Sequence, residues 1–317
     1  MRLFDSIFKA LSPGRKKRKK RGRATHAGGG GFRPSGEDGR ASAKVVVADL
    51  YGSGGGEFAD RITGILTNEQ TFLTYRLKKS IRQNIRLGLL ERLLVAAEEA
   101  GNLLNEEKGD LLIWGEMEDM GTIGRMHFYS PVGGVDGQPG TFGLADSLDL
   151  PWPLPDGFGD IVRGVVLAAI GGVTEGAKTD IAASLKKHLP AIETAVSQLP
   201  ADLNDENRAA ILNCAGNAFA TSIRFGDKGA LPGAVKMYEM AGTFCSATAS
   251  PVIWALVQTH WAAALEADGR QRKDPAGVEA AIQRYKAVAD GLSKDINGYD
   301  WALAQVRRAM AIYKLAG

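Results

Sequence analysis

Trp254-Ala255-Leu256-Val257-Gln258 and Trp301-Ala302-Leu303-Ala304-Gln305 are two copies of one element, 47 positions apart. The same offset relates Val235 to Ile282 and Tyr238 to Tyr285, so the register holds through the helix between the copies. A period of this length is the mark of stacked helical hairpins. One hairpin is too small to bury its own apolar face and must lean on a neighbour, so the copies predict an array with a groove along it.

Working outward, the pattern predicts helices over 159–172, 177–198, 205–225, 229–245, 251–268, 274–292 and 298–316, broken at Gly171-Gly172, Pro200, Gly226-Asp227, Ser250-Pro251, Gly269 and Gly298. Short connections make neighbours antiparallel, giving three hairpins and a last helix whose polar outer face caps the array. The Trp-Ala-x-x-Gln element, followed by small Ala262 and Ala263, is similar to a longer-period variant of tetratricopeptide (TPR) repeats. The second copy departs from the first: Arg307 and Arg308 stand where His260 and Trp261 stood. Trp254, Trp261 and Trp301 are read as a packing layer and not as a ligand cage, since a residue needed once for chemistry does not recur.

Upstream, the Pro/Gly-rich stretch 131–159 reads as a domain junction. Before it, Val45-Val46-Val47-Ala48-Asp49-Leu50 is a continuous apolar run, as expected of a strand covered on both faces. Further strands are predicted at 71–75, 110–115 and 123–129, with an edge strand from Phe142 to Leu150. Helices are predicted at 57–66 and 89–104. This alternation implies a small α/β sandwich with parallel pairing. The run Val45 to Asp49, Phe58-Ala59-Asp60-Arg61-Ile62-Thr63 and Leu111-Leu112-Ile113-Trp114-Gly115-Glu116 resemble, in this order, the TolB-like amino-terminal domain. That resemblance covers residues 44–150 and implies a non-catalytic module in proteins tied to envelopes or larger assemblies. The chain is therefore read as α+β: a small α/β TolB-like domain over 44–150, then an all-α TPR-like helical-hairpin array over 158–317.

Residues 1–43 stand apart. They hold twelve Lys/Arg against three acids, so a net charge of +3 conceals −6 on the remainder. Leu3, Phe4, Ile7, Phe8 and Leu11 share one helical face, followed by Arg15-Lys16-Lys17-Arg18-Lys19-Lys20-Arg21-Gly22-Arg23 and then a Gly-rich linker. A short helix of this kind needs a surface to fold on, and an anionic bilayer interface suits both the apolar face and the charge. Leu3, Phe4, Ile7, Phe8, Lys16, Lys17, Arg18, Lys19 and Lys20 are the expected membrane contacts. A solvated tail and a nucleic-acid arm stay open as alternatives. No run of 18 apolar residues occurs, and the basic run follows the apolar segment instead of preceding it, which is not the order of an export signal.

Candidate chemistry is sparse. Gly52-Ser53-Gly54-Gly55-Gly56 between a strand and a helix invites a phosphate reading. Yet Glu57-Phe58 follows where a nucleotide loop needs Lys-Ser/Thr, so a structural turn is expected. A nucleotide-binding enzyme or regulator remains the alternative, drawing on Lys78, Lys79 or Arg82 for positive charge. Glu116, Glu118 and Asp119 read as a solvated rim. The histidines 26, 127, 188 and 260 show no paired spacing, and Cys214 and Cys245 read as buried free thiols in a reducing compartment. The predicted function is a non-enzymatic adaptor or scaffold at the inner face of the cytoplasmic membrane, with no catalytic residue, cofactor or metal. Its groove is expected to hold a protein partner through Asn213, Asn217, Gln258, His260 and Gln305. Nucleic acid and a small-molecule substrate are disfavoured as partners.

Overall fold

The computed structural model describes residues 43–131, 138–170 and 175–316. The expected membrane contacts between Leu3 and Lys20 lie outside the described residues.

The central strand β1 (Ala43–Tyr51) pairs in parallel with β2 (Phe72–Ser80) on one side and β3 (Leu111–Glu118) on the other. Two antiparallel strands, β4 (Ile123–Tyr129) and β5 (Leu148–Pro151), extend the sheet in the order β2-β1-β3-β4-β5. The continuous apolar run of β1 serves both faces. Val45 and Val47 join Leu111 and Ile113 on one side, while Val46 and Ala48 join Leu112 and Trp114 on the other, the alternation that a pleated strand imposes. Helix α1 (Gly55–Thr67) covers the first face with Phe58, Ile62 and Leu66. Helix α2 (Leu89–Glu107) covers the second with Ala96, Ala100 and Leu104. The crossover from β1 to β2 runs one way along the sheet and the crossover from β2 back past β1 to β3 runs the other, so their right-handedness places the helices on opposite faces.

Among the described residues seven further helices follow: α3 (Phe158–Ile170), α4 (Glu175–Val196), α5 (Asp205–Arg224), α6 (Leu231–Gly242), α7 (Pro251–Arg272), α8 (Pro275–Gly291) and α9 (Gly298–Ala316). Each boundary falls within four residues of the expectation. They pack as pairs α3–α4, α5–α6 and α7–α8, with α9 laid on α8 and the first helices of successive pairs in contact. The starts are chemically marked. The side chains of Asn204 and Asp274 cap α5 and α8, and Pro251 and Pro275 occupy the first turn of α7 and α8.

The repeat pairs are similarly buried. Tyr238 and Tyr285 are both fully buried, and a Cβ on Gly216 would stand 2.4 Å from the Tyr238 ring, so the ring closes α6 onto α5. Trp254 and Trp301 both pack against one buried cluster, made of Ala255, Val288, Ala289, Leu292 and Ala304.

Three features depart from the expectation. The helix holding Gly269 continues to Arg272, because Gly269 meets the Gly277 backbone of α8 in a close helix crossing and does not stop the chain. The outer face of α9 is apolar and is uncovered among the described residues, with Val306 56% and Tyr313 82% exposed. Finally, the Pro/Gly-rich junction does not divide the interior into separate cores. One buried cluster runs from Val45 and Ile113 of the sheet through Phe158, Val165 and Leu212 to Trp261.

Candidate functional site

Helix α5 is buried on all sides, which for an ordinary helix would demand an all-apolar sequence. It carries instead Asn213, Asn217 and Thr221, spaced four apart and so in one stripe. A buried polar stripe needs partners. The irregular segment between β4 and β5 supplies them, running against α5 in the opposite sense. Thr221 Oγ1 donates to the Gly140 carbonyl at 3.0 Å, Asn213 Nδ2 to Asp146 Oδ1 at 2.9 Å, and Cys214 Sγ to the Ser147 carbonyl at 3.2 Å. Asn217 faces the hairpin partner, its Oδ1 accepting from the Tyr238 hydroxyl at 2.8 Å.

Asp146 is the centre of this arrangement. Its side chain is wholly buried, and besides Asn213 it accepts from Gly143 N–H at 2.7 Å and from His260 Nε2 of α7, which lies 3.0 Å from both oxygens. Its own carbonyl accepts from His127 Nδ1 at 3.1 Å, and that imidazole stacks on Trp114 with ring centroids 4.7 Å apart. Burial pushes His127 down to about 4, so the ring is neutral at pH 7. Burial first, and the Asp146 charge second, push Asp300 at the start of α9 up to about 6. Burial and the charges of Asp146 and Asp149 hold the Cys214 thiol well above its usual range, so it is no nucleophile.

Of the five residues expected to line an open groove, three are placed differently. Asn213, Asn217 and His260 are buried and engaged within the chain, because residues 140–147 occupy the inner wall that they form. Gln258 is half-buried and accepts from Arg284 Nη1 at 2.7 Å, while that guanidinium sits over the Trp261 ring. Gln305 is half-buried on α9.

Beyond His260, between α7 and α9, the inner wall does open into a cavity of about 260 Å³. Gln138 and Pro139 close one side, and Glu266, Arg270, Tyr285, Arg307 and Lys314 line the rest. Glu266 is paired with Arg270 at 3.6 Å and Lys314 at 3.4 Å. Arg307 is 8% exposed, and its Nε and Nη1 have no hydrogen-bond partner.

Other constellations are internally satisfied. The 52–56 loop sits where the order of the parallel strands reverses, a usual place for ligands. Its backbone is nevertheless packed inward: a Cβ on Gly55 would stand 1.9 Å from the Leu50 carbonyl. The cation that reaches the loop is Arg76, already shared between Asp49, Asp60 and the Gly56 carbonyl. Lys79 pairs with Glu106, and Arg82 lies over the Tyr51 ring. Glu116 and Glu118 are not a solvated rim. Glu118 and the buried Asp149 clamp Arg125, and Gln83 donates to Glu116, whose carboxyl burial pushes up. His188 bridges Asp160 at 3.0 Å and Glu69 at 3.1 Å, a latch between α3–α4 and the turn before β2. Hydrogen bonds from Thr71, His188 and Ser184 outweigh burial and hold Glu69 below its usual range. No family model, curated protein or solved structure matches the chain.

Proposed function

We propose that the chain is a non-enzymatic adaptor that holds a protein partner on the inner wall of a tetratricopeptide-like array, beside a TolB-like sheet module. One observation carries this reading. The wall formed by α5 and α7 already holds an irregular chain segment through Thr221, Asn213 and His260. Side chains that satisfy one backbone and one carboxylate supply the chemistry needed to hold a second segment further along. The basic amphipathic amino-terminal stretch fits attachment to an anionic membrane surface, with the array left free in the cytoplasm.

Direct binding tests the adaptor reading. Proteins captured by the full chain are purified, and their affinities are measured by calorimetry. A partner that binds stoichiometrically at micromolar Kd or tighter is the expected result, and its absence refutes the reading. A nucleotide-binding role at the 52–56 loop is the second reading, favoured by its position at the strand-order reversal. Saturable binding of a fluorescent nucleotide analogue, lost on Ser53→Glu at the exposed side of the loop with the fold intact, would favour it over the adaptor.

A further inference from the structure

We propose that the cavity between α7 and α9 is a carboxylate site that takes an acidic side chain from an extended segment of a partner protein. This rests on the adaptor reading and names the chemistry of its contact. The argument begins with the repeat. Arg307 stands 47 positions after His260 and so holds the same place on α9 that His260 holds on α7. His260 receives a carboxylate, Asp146, carried in by a chain segment. Arg307 carries the larger and permanently charged donor, and faces a cavity instead.

The local electrostatics lead to the same ligand. Glu266 is the acid of this wall, and Arg270 and Lys314 already neutralise it. That leaves Arg307 buried at 8% exposure with two N–H groups unpartnered, beside the Tyr285 hydroxyl. A buried guanidinium with two N–H groups left unpartnered is costly, and a planar oxyanion that accepts two parallel N–H bonds is the group that relieves it. A cavity of about 260 Å³ holds an acidic side chain with its adjoining backbone, and is small for a folded element. Its wall at Gln138 and Pro139 continues towards the Gly140 to Ser147 segment, so a partner strand entering here would extend the line of that segment.

The test uses the full chain and an N-acetylated, C-amidated heptapeptide copying residues 142–148, Phe-Gly-Leu-Ala-Asp-Ser-Leu, beside its Asp→Asn form. The Asp peptide is expected to bind at least about tenfold tighter than the Asn peptide, and Arg307→Met to abolish that difference while Arg307→Lys keeps part of it. Arg307→Met is also expected to raise the Tm, because an uncompensated buried charge has been removed. A lower Tm, or loss of folding, would make Arg307 a structural residue and overturn the proposal. So would equal binding of the two peptides. Succinate or inorganic phosphate binding as tightly as the Asp peptide would make the cavity a small-anion site and equally overturn it. The adaptor reading fails separately. If the Asp peptide binds but no protein partner does, the carboxylate site stands alone. If a partner binds equally to the parent and to Arg307→Met, the adaptor stands and the site does not.

Discussion

Asp146→Ala should be among the most damaging single substitutions in the chain, although it removes only a carboxyl. The carboxylate accepts from Gly143 N–H, Asn213 Nδ2 and His260 Nε2 in a region without water access. Alanine leaves the two side-chain donors buried and unpaired. Each orphaned donor costs about 1–3 kcal/mol, so the total with the lost turn at Gly143 is about 3–6 kcal/mol. Relief of the carboxylate's own desolvation works the other way, but does not return partners to Asn213 and His260. For a chain of 317 residues the loss should lower Tm by about 4–9 °C. Urea denaturation followed by tryptophan fluorescence gives the free energy, and hydrogen exchange gives the location, since amides 140–147 should lose protection first. The triple replacement Asp146→Leu, Asn213→Leu, His260→Leu is the control, because it leaves only the backbone donor of Gly143 behind. It should recover most of the loss, as apolar replacement of whole buried networks usually does. A penalty below about 1 kcal/mol for Asp146→Ala would show that residues 140–147 are held by something other than this carboxylate.

Four further outcomes follow from the same structure. Trp254→Ala should cost about 3 kcal/mol, because the half-buried ring fills the space over Gly291, where a Cβ would stand 2.7 Å from it; an unchanged denaturation midpoint would remove Trp254 from the packing. A fragment of residues 156–317 should show helical circular dichroism but no cooperative melt, because it lacks Asp146 and the sheet half of the shared core; a sharp melt would mean the helices are self-sufficient. Asp300, raised to about 6 from 3.8, gives stability that is complete below pH 4 and lost as pH rises through 6, whereas His127, lowered to about 4 from 6.5, gives stability that is complete above 6.5 and lost as pH falls through 4. Asp300→Asn should therefore stabilise the protein at pH 7.5 by about 1–2 kcal/mol after discounting for partial exposure, and uncover a steeper loss on acidification, with no gain at pH 7.5 refuting the shift. At the amino terminus, Phe4→Glu with Phe8→Glu should release the protein from anionic vesicles at low salt, and replacing Lys16, Lys17, Lys19 and Lys20 by Gln should give partial, salt-sensitive release; a parent chain that does not sediment with the vesicles ends the membrane reading.

The helices and strands were legible because their signals are local. The 47-residue offset, the Pro and Asn/Asp caps and the unbroken run of β1 each act within a few residues of where they are read, and the helix ends accordingly fall close to the expectation. What the chain does with its inner wall was not legible, because that depends on partners 67 and 114 positions away from Asp146. Asn213, Asn217 and His260 read as groove contacts since a polar residue on a repeat helix states that it needs a partner without stating which. One signal was available. Asn213, Asn217 and Thr221 form a stripe on a helix whose buried stretch 209–223 is otherwise Ala, Ile, Leu, Cys, Gly and Phe apart from Ser222, and such a helix has no solvent face on which to put them. A polar stripe on an all-buried helix implies a polar strand of chain laid along it, and the region between β4 and β5 was the long unassigned stretch able to provide one. The edge strand was overdrawn for the same reason: residues 142–147 are fixed by side chains of α5 and α7, and the ladder begins only at Leu148. Arg307 was visible as a departure from the repeat, but a departure becomes a site only when the position it changes is known to hold a carboxylate. That knowledge comes from His260 and Asp146 meeting in space, and it turns one mismatch between two copies into a statement about what the array binds.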